Sequence, residues 1–265
     1  FKVILFNILL IVNSNLYSQW FEEGTIPTTV LLEKFENGQY ITHGTGFLLY
    51  NYDNPTESIV VTCAHLLKEK SEIFVRVKPD SSFFNNFKGL GTKELNFNNI
   101  KIINNTVRFI AQLGLKNKFI DNDLDIAVFT INLIVPNEAV NVTKLNCIPK
   151  SYISYKTELK LGDEVFFNGF PLGHGATDFV EPIIRSGSIA WLPMNKNYFL
   201  LDAFSYGGNS GSPIFRKTTG SSYSYILGMV RGHFTDEKND NIGLAICVYM
   251  DDIMKIVEKF QKIEK

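Results

Sequence analysis

Gly207-Gly208-Asn209-Ser210-Gly211-Ser212-Pro213 is a small-residue loop that sets one hydroxyl between glycines, and the apolar run Tyr225 to Val230 follows close behind it. A serine becomes an effective nucleophile only when a base removes its proton and fixed donors meet the oxyanion that forms. Glycines just before the serine let the backbone turn so that successive N–H groups point into one concavity. That pattern nominates the N–H groups of Gly208 and Ser210 as an oxyanion hole. An ordinary Gly/Ser/Asn turn has the same composition, so other stretches of the chain must decide.

Val60-Val61-Thr62-Cys63-Ala64-His65-Leu66-Leu67 runs from a β-branched strand into a histidine and then a short helical turn. A histidine where a strand ends is held by rigid backbone yet can face a cleft, which suits a general base with a pKa near neutrality. The other three histidines are framed less rigidly: His174 and His233 read as Gly-flanked loop residues, and His43 precedes Gly44-Thr45-Gly46. Asp121-Asn122-Asp123-Leu124-Asp125-Ile126-Ala127-Val128 places acids just before an apolar strand. A buried aspartate needs a donor, and an imidazole N–H supplies one, the acid in turn fixing the tautomer of the ring. Asp121 and Asp123 compete for that role, but Asp125 adjoins the apolar run directly and is the one expected to be carried inward.

The chain has 265 residues, enough for one large domain or two small ones around a sizeable core. A net charge of −1 with interspersed signs, and no Lys/Arg run or aromatic ladder, excludes a nucleic-acid footprint. Lys2 followed by the apolar run Val3 to Val12 reads as a secretory signal over residues 1–18, incomplete at its Phe1 start, because a run of about ten apolar residues is short for a bilayer. The expected location is secreted or periplasmic, with no stable membrane association after signal removal. Cys63, Cys147 and Cys247 are an odd count without metal-type spacing and read as small buried side chains, not a disulfide framework.

From Thr28 onward short apolar segments alternate with turn residues: Thr29 to Leu32, Tyr40 to Ile41, Gly46 to Leu49, Ser58 to Thr62, Ile73 to Val77, Val107 to Ala111. Without intervening helical patterns, this spacing predicts an all-β barrel or sandwich. Ser81 to Thr92 reads as a long loop or hairpin. The stretch Cys147 to Tyr155 is the expected boundary between a first β unit, residues 25–150, and a second, residues 151–265. Met250 to Ile263 carries apolar residues at helical spacing with acids first and lysines later, which predicts a terminal amphipathic helix.

His65, Asp125 and Ser210 occur in an order that is one of three chain orders used for the same catalytic geometry. Gly44-Thr45-Gly46-Phe47, Val61-Thr62-Cys63-Ala64-His65, Asp125-Ile126-Ala127-Val128, Gly208-Asn209-Ser210-Gly211-Ser212-Pro213 and Ile242-Gly243-Leu244-Ala245-Ile246 resemble the trypsin-like, chymotrypsin-fold serine proteases. The likeness is nearest to the bacterial branch of HtrA-type and glutamyl endopeptidase enzymes. The resemblance implies two six-stranded antiparallel β-barrels with the active site between them, His65 and Asp125 from the first and Ser210 from the second. It implies a secreted endopeptidase that cleaves protein or peptide substrates through an acyl-enzyme, with no cofactor and no metal. By position, Phe204, Ser205, Tyr206, Val230, Arg231, Gly232 and His233 are expected to line the pocket for the side chain before the cleaved bond; neither stretch carries an acid, so a Lys/Arg preference would lack its counter-charge. Asn209 stands where digestive members carry an aspartate, so no N-terminal activation switch is expected. No PDZ-like segment follows the helix, so cage assembly is not expected. The competing readings are a non-catalytic binding module on the same scaffold and a metal-dependent hydrolase; the latter lacks a His/Asp/Glu cluster with ligand spacing.

Overall fold

A computed structural model of the chain describes residues 25–68, 72–78, 95–97, 100–103, 106–113, 117–132, 145–176, 180–193, 195–217 and 224–263. The expected signal at 1–18 and the expected loop at 81–92 lie outside the described residues. Among those described, no helix is long and apolar enough to cross a membrane.

The first half is one antiparallel sheet of nine strands: β1 (Thr29–Glu36), β2 (Gln39–Tyr50), β3 (Glu57–Thr62), β4 (Glu72–Val77), β5 (Leu95–Phe97), β6 (Ile100–Ile103), β7 (Thr106–Gln112), β8 (Lys118–Asp121) and β9 (Ile126–Asn132). They are ordered β5-β6-β7-β4-β1-β2-β3-β9-β8. The run β7-β4-β1-β2-β3-β9 has the six strands expected of a barrel and curls until β7 lies against β9, although no ladder joins those two among the described residues. β5-β6 and β8 extend the two edges. Tyr40 to Ile41 and Gly46 to Leu49, separate in the sequence reading, belong to the single strand β2. It enters from β1 through a two-residue turn, Asn37-Gly38, both at positive φ, the backbone that a tight hairpin needs. In β3, Ile59, Val60 and Val61 are buried in succession, so both faces of the strand are covered. That explains an unbroken β-branched run where a half-exposed strand would alternate.

The second half closes fully. β10 (Glu164–Gly169), β11 (Ile183–Trp191), β12 (Tyr198–Asp202), β13 (Pro213–Arg216), β14 (Ile226–Thr235) and β15 (Asn241–Tyr249) form a barrel in the order β10-β11-β12-β15-β14-β13, with β13 pairing back on β10. Closure leaves no free sheet edge there. Its interior is packed by Phe167, Phe199, Leu201, Ile214, Leu227 and their neighbours.

Three features bind the halves together. The connecting segment stitches to both, Ile148 bridging Leu49 and Ile153 bridging Ile226. Helix α2 (Met250–Ile263), as the apolar spacing predicts, buries Met250, Ile253, Ile256, Val257 and Phe260 against β8 and β9 on one side and β14 and β15 on the other. A side chain of that size moved out of water stabilises the fold by about 1.5–3 kcal/mol, so the helix is a substantial clasp. Finally, the buried carboxylate of Glu33 meets Arg108 at 2.7 Å and Arg76 at 3.4 Å, and Arg76 Nη1 reaches on to donate to Ala176 O at 3.0 Å. That last bond ties the first sheet to the segment after β10 that borders the candidate site.

Candidate active site

β3 ends at Thr62 and the short helix α1 (Ala64–Leu67) begins two residues later, with Cys63 still in extended conformation between them. This abrupt change swings His65 outward at the rim. Asp125 lies immediately before β9, next to β3 in the sheet, and adopts φ 57. Aspartate tolerates that left-handed backbone better than most residues, and here it turns the side chain back towards α1. Three contacts result: Asp125 Oδ1 accepts from His65 N at 2.9 Å, and His65 Nδ1 stands 2.9 Å from Oδ2 and 3.1 Å from Oδ1. The Asp125 carbonyl also accepts from Ala64 N at 3.2 Å. A ring nitrogen facing a carboxylate carries the proton, which leaves Nε2 as a free acceptor. The His65 side chain is 47% exposed and that of Asp125 18%, so the ring opens to the groove with its acid behind it. Asp121 accepts from Leu124 N at 2.9 Å and caps the loop, and Asp123 is exposed. The competition read from sequence resolves towards Asp125.

The Ser210 loop can be followed peptide by peptide. The carbonyl of Gly207 accepts from Leu172 N at 2.7 Å, that of Gly208 from Thr45 Oγ1 at 2.6 Å, that of Asn209 from Ser212 N at 2.9 Å and that of Ser210 from Thr45 N at 2.9 Å. On the donor side, Asn209 N reaches Tyr206 O at 3.0 Å and Gly211 N reaches Val230 O at 2.8 Å. Among the described residues, the N–H groups of Gly208 and Ser210 have no partner. Their orientation is nevertheless fixed, because in a trans peptide the N–H points opposite to the preceding C=O, and both preceding carbonyls are held. The two donors nominated from sequence are therefore among those that this loop leaves available, and Gly208 sits at φ +93, where only glycine is comfortable. Gly211, at φ +90, lies so close to β2 that a Cβ would run into the Thr45 carbonyl.

Ser210 Oγ donates to Arg231 O at 3.3 Å, and among the described residues no hydrogen bond joins it to His65. Contacts across the seam nonetheless tie together the segments that carry the two residues. Thr45 N holds Ser210 O, Thr62 Oγ1 donates to Thr45 O at 2.6 Å, and Cys63 Sγ meets Val230 O at 3.5 Å, one residue from the carbonyl that receives the Ser210 hydroxyl. Residues 44–222 match the trypsin-like peptidase domain family. The chain belongs to that family. Membership places it among the serine endopeptidases, and no curated protein matches it. Two solved structures share its fold. The HtrA-type protease AlgW with a decapeptide superposes at a TM-score of 0.60 and 13% identity, covering 94% of this chain and 68% of that one. An alanine variant of AlgW with a tripeptide gives 0.56 and 14%, covering 94% and 64%.

In this trypsin-like peptidase the residues expected to line the specificity pocket divide. Phe204 and Tyr206 are exposed, their rings stacked at 6.3 Å, and the Arg185 guanidinium lies 5.3 Å from the Tyr206 ring. The side chains of Ser205 and Val230 are instead buried, Val230 within the barrel core, so neither lines an open pocket. His233 is not a loop residue but pairs with Ala245 inside β14, and Arg231 is half-buried on the same strand, its charge felt at the thiols of Cys63 and Cys247. The cause is a bulge: the β14–β15 register shifts between Val230 and Gly232, which breaks the alternation from which facing is read.

All three cysteines are free, Cys63 and Cys247 buried as expected, Cys147 only half-buried with its sulfur 3.3 Å from Ser58 Oγ. Burial pushes the Cys63 and Cys247 thiols well up, away from nucleophile behaviour. Asn209 is fully buried, and its carboxamide has no hydrogen-bond partner among the described residues. Two positioning residues carried no usable sequence signal. Thr45 reads as an ordinary strand residue, and Leu172, at φ 53, occupies backbone for which glycine or asparagine would be expected.

Proposed function

We propose that the chain is an exported serine endopeptidase in which His65, Asp125 and Ser210 act as a catalytic triad. The observation that carries the reading is the Asp125–His65 pair, together with a Ser210 loop that leaves the N–H groups on either side of Asn209 unpartnered. The reading requires the Ser210 hydroxyl to leave the Arg231 carbonyl and donate to His65 Nε2. Oγ then attacks the peptide carbonyl carbon while Nε2 accepts its proton, and Asp125 stabilises the imidazolium. The carbonyl oxygen becomes an oxyanion that Gly208 N–H and Ser210 N–H meet. Collapse returns the proton to the leaving amine and leaves an acyl-enzyme on Ser210, which water hydrolyses by the same steps. One such donor is worth about 10²- to 10³-fold in rate. Export rests on Lys2 and the apolar run Val3 to Val12, and the substrate is a protein or peptide.

A fluorophosphonate probe tests the reading. Wild-type protein should be labelled at Ser210 and should hydrolyse casein, and Ser210→Ala, with unchanged circular dichroism, should do neither. Folded wild-type protein that resists the probe would overturn the catalytic assignment and leave a binding module. The hydroxyl turned towards Arg231 is the feature that favours that second outcome.

A further inference from the structure

We propose that Cys63, His65 and Asp125 form a binding site for a thiophilic divalent cation such as Zn²⁺ or Cd²⁺, and that occupancy switches the peptidase off. The cation site stands on its own geometry; its inhibitory effect rests on the function proposed above.

Cys63 Sγ, a ring nitrogen of His65 and a carboxylate oxygen of Asp125 all lie within 4.8 Å of one another. Zinc binds cysteine at about 2.3 Å and histidine or carboxylate at about 2.0–2.2 Å, so its tetrahedral ligands sit roughly 3.3–3.7 Å apart. His65 Nδ1 and the Asp125 oxygens are already separated by 2.9 and 3.1 Å, and a modest closing of the thiol completes the third corner. Sulfur, nitrogen and oxygen together select Zn²⁺ or Cd²⁺ over Mg²⁺ and Ca²⁺, which favour all-oxygen sets. The fourth position falls to water, since the His65 side chain is open to solvent.

Sequence spacing could not disclose this set, because the third ligand comes from another strand. Cys63 stands there because β3 ends one residue before it and its extended backbone turns the sulfur inward under His65. Its thiol donates a long bond to Val230 O at 3.5 Å, and the Gly211 backbone beside it favours the thiolate, so little is lost when the thiol proton leaves. Burial and, second, the Asp125 carboxylate hold that proton on; a cation seated between the two relieves both. The neighbouring charge of Arg231 acts in the opposite sense and limits the affinity.

The proton count gives the consequence. The ion displaces the proton of the Cys63 thiol to solvent, and by taking Nδ1 it shifts the single proton of the neutral His65 ring to the other nitrogen. A neutral imidazole keeps one proton, now on Nε2, which becomes a donor and can no longer accept the proton of Ser210. The base is lost although Ser210 is untouched.

Two measurements test this. Cd²⁺ is titrated into folded Ser210→Ala protein carrying Cys147→Ala, which removes the one thiol that is not buried. One equivalent should produce the ultraviolet thiolate-to-cadmium charge-transfer band, and Cys63→Ala, or Cys63→Ser should alanine disturb folding, should abolish it. Absence of the band, or its survival without Cys63, overturns the site. In the second, Zn²⁺ should inhibit wild-type hydrolysis, and Cys63→Ala should raise the inhibiting concentration at least 10-fold, each protein referred to its own metal-free rate. Equal inhibition of both would place the ion elsewhere and also overturn the proposal. A protein that binds Cd²⁺ through Cys63 yet never hydrolyses peptide would refute the protease reading alone.

Discussion

Asp125 and His65 are joined by two side-chain contacts and one backbone N–H, with a fourth bond from Ala64 N to the Asp125 carbonyl, all between neighbouring strands of one sheet. The Ser210 loop on the other side of the groove is held differently: its carbonyls are gripped by Thr45 from the first half and Leu172 from the segment after β10, as well as by its own Ser212. The first device is local and survives as long as β3 and β9 pair. The second is shared: Leu172 and Ser212 hold the carbonyls behind the Gly208 and Ser210 N–H groups from within the second half, and Thr45 braces the same loop across the interface. The His65–Asp125 pair is therefore positioned by one sheet, and the Ser210 loop by its own half with a brace from the other.

The largest expected effect lies on the local side. Asp125→Asn preserves shape, and asparagine accepts φ 57 as readily as aspartate. A carboxamide, however, no longer fixes the proton on His65 Nδ1, so Nε2 ceases to be the acceptor. We expect kcat to fall about 10⁴-fold with little change in thermal stability, the magnitude seen when a triad acid is amidated. A loss smaller than about ten-fold in steady-state peptide hydrolysis would mean that the pair is structural.

Thr45 tests the interface side. Thr45→Val removes the hydroxyl that holds Gly208 O and accepts from Phe170 N, while retaining Thr45 N–H on Ser210 O. The part-buried Gly208 carbonyl is left without its donor, which costs about 1 kcal/mol. Tilting of the adjoining peptides should lower kcat about 10-fold at little-changed KM, since oxyanion contacts strengthen in the transition state. Thr62→Val is the control, because it deletes an equally buried hydroxyl that touches only Thr45 O. The contrast fails if both variants lose stability and activity in equal measure by calorimetry and kinetics.

The same contrast governs what could be read in advance. Ser210, His65 and Asp125 stand out in the sequence because each pairs a reactive group with a backbone signal: glycines around a hydroxyl, a β-branched run ending at a histidine, an acid abutting an apolar strand; the contact between His65 and Asp125 is what the structure adds. The terminal helix was legible because its apolar period is continuous over four turns. The anchoring of the Ser210 loop was not, because Thr45 in a strand satisfies β propensity whether or not its hydroxyl is used, and Leu172 enters a left-handed conformation that its identity argues against. Ser205 and Val230, expected at the pocket by position, are buried, and the bulge at Arg231 in β14 is a property of two strands, not of one.

The smallest effect expected concerns the segment joining the halves. Glu158 accepts from Tyr155 N at 2.8 Å and from Ser154 Oγ at 2.9 Å, and these two bonds, the backbone one foremost, hold its carboxyl below the usual value. The folded form therefore releases the proton more readily than the unfolded chain. Its contribution is present above the ordinary glutamate pKa of about 4.3 and is lost as pH falls through the depressed folded value. Glu158 is exposed, so solvent weakens the effect. Wild type should lose slightly more thermal stability than Glu158→Gln on acidification from about pH 6 to below about 4. If the two lose stability in parallel, the cap contributes nothing to docking, and the halves are held around the Ser210 loop by α2, the Arg76 strut, Thr45 and the Ile148 and Ile153 bridges without it.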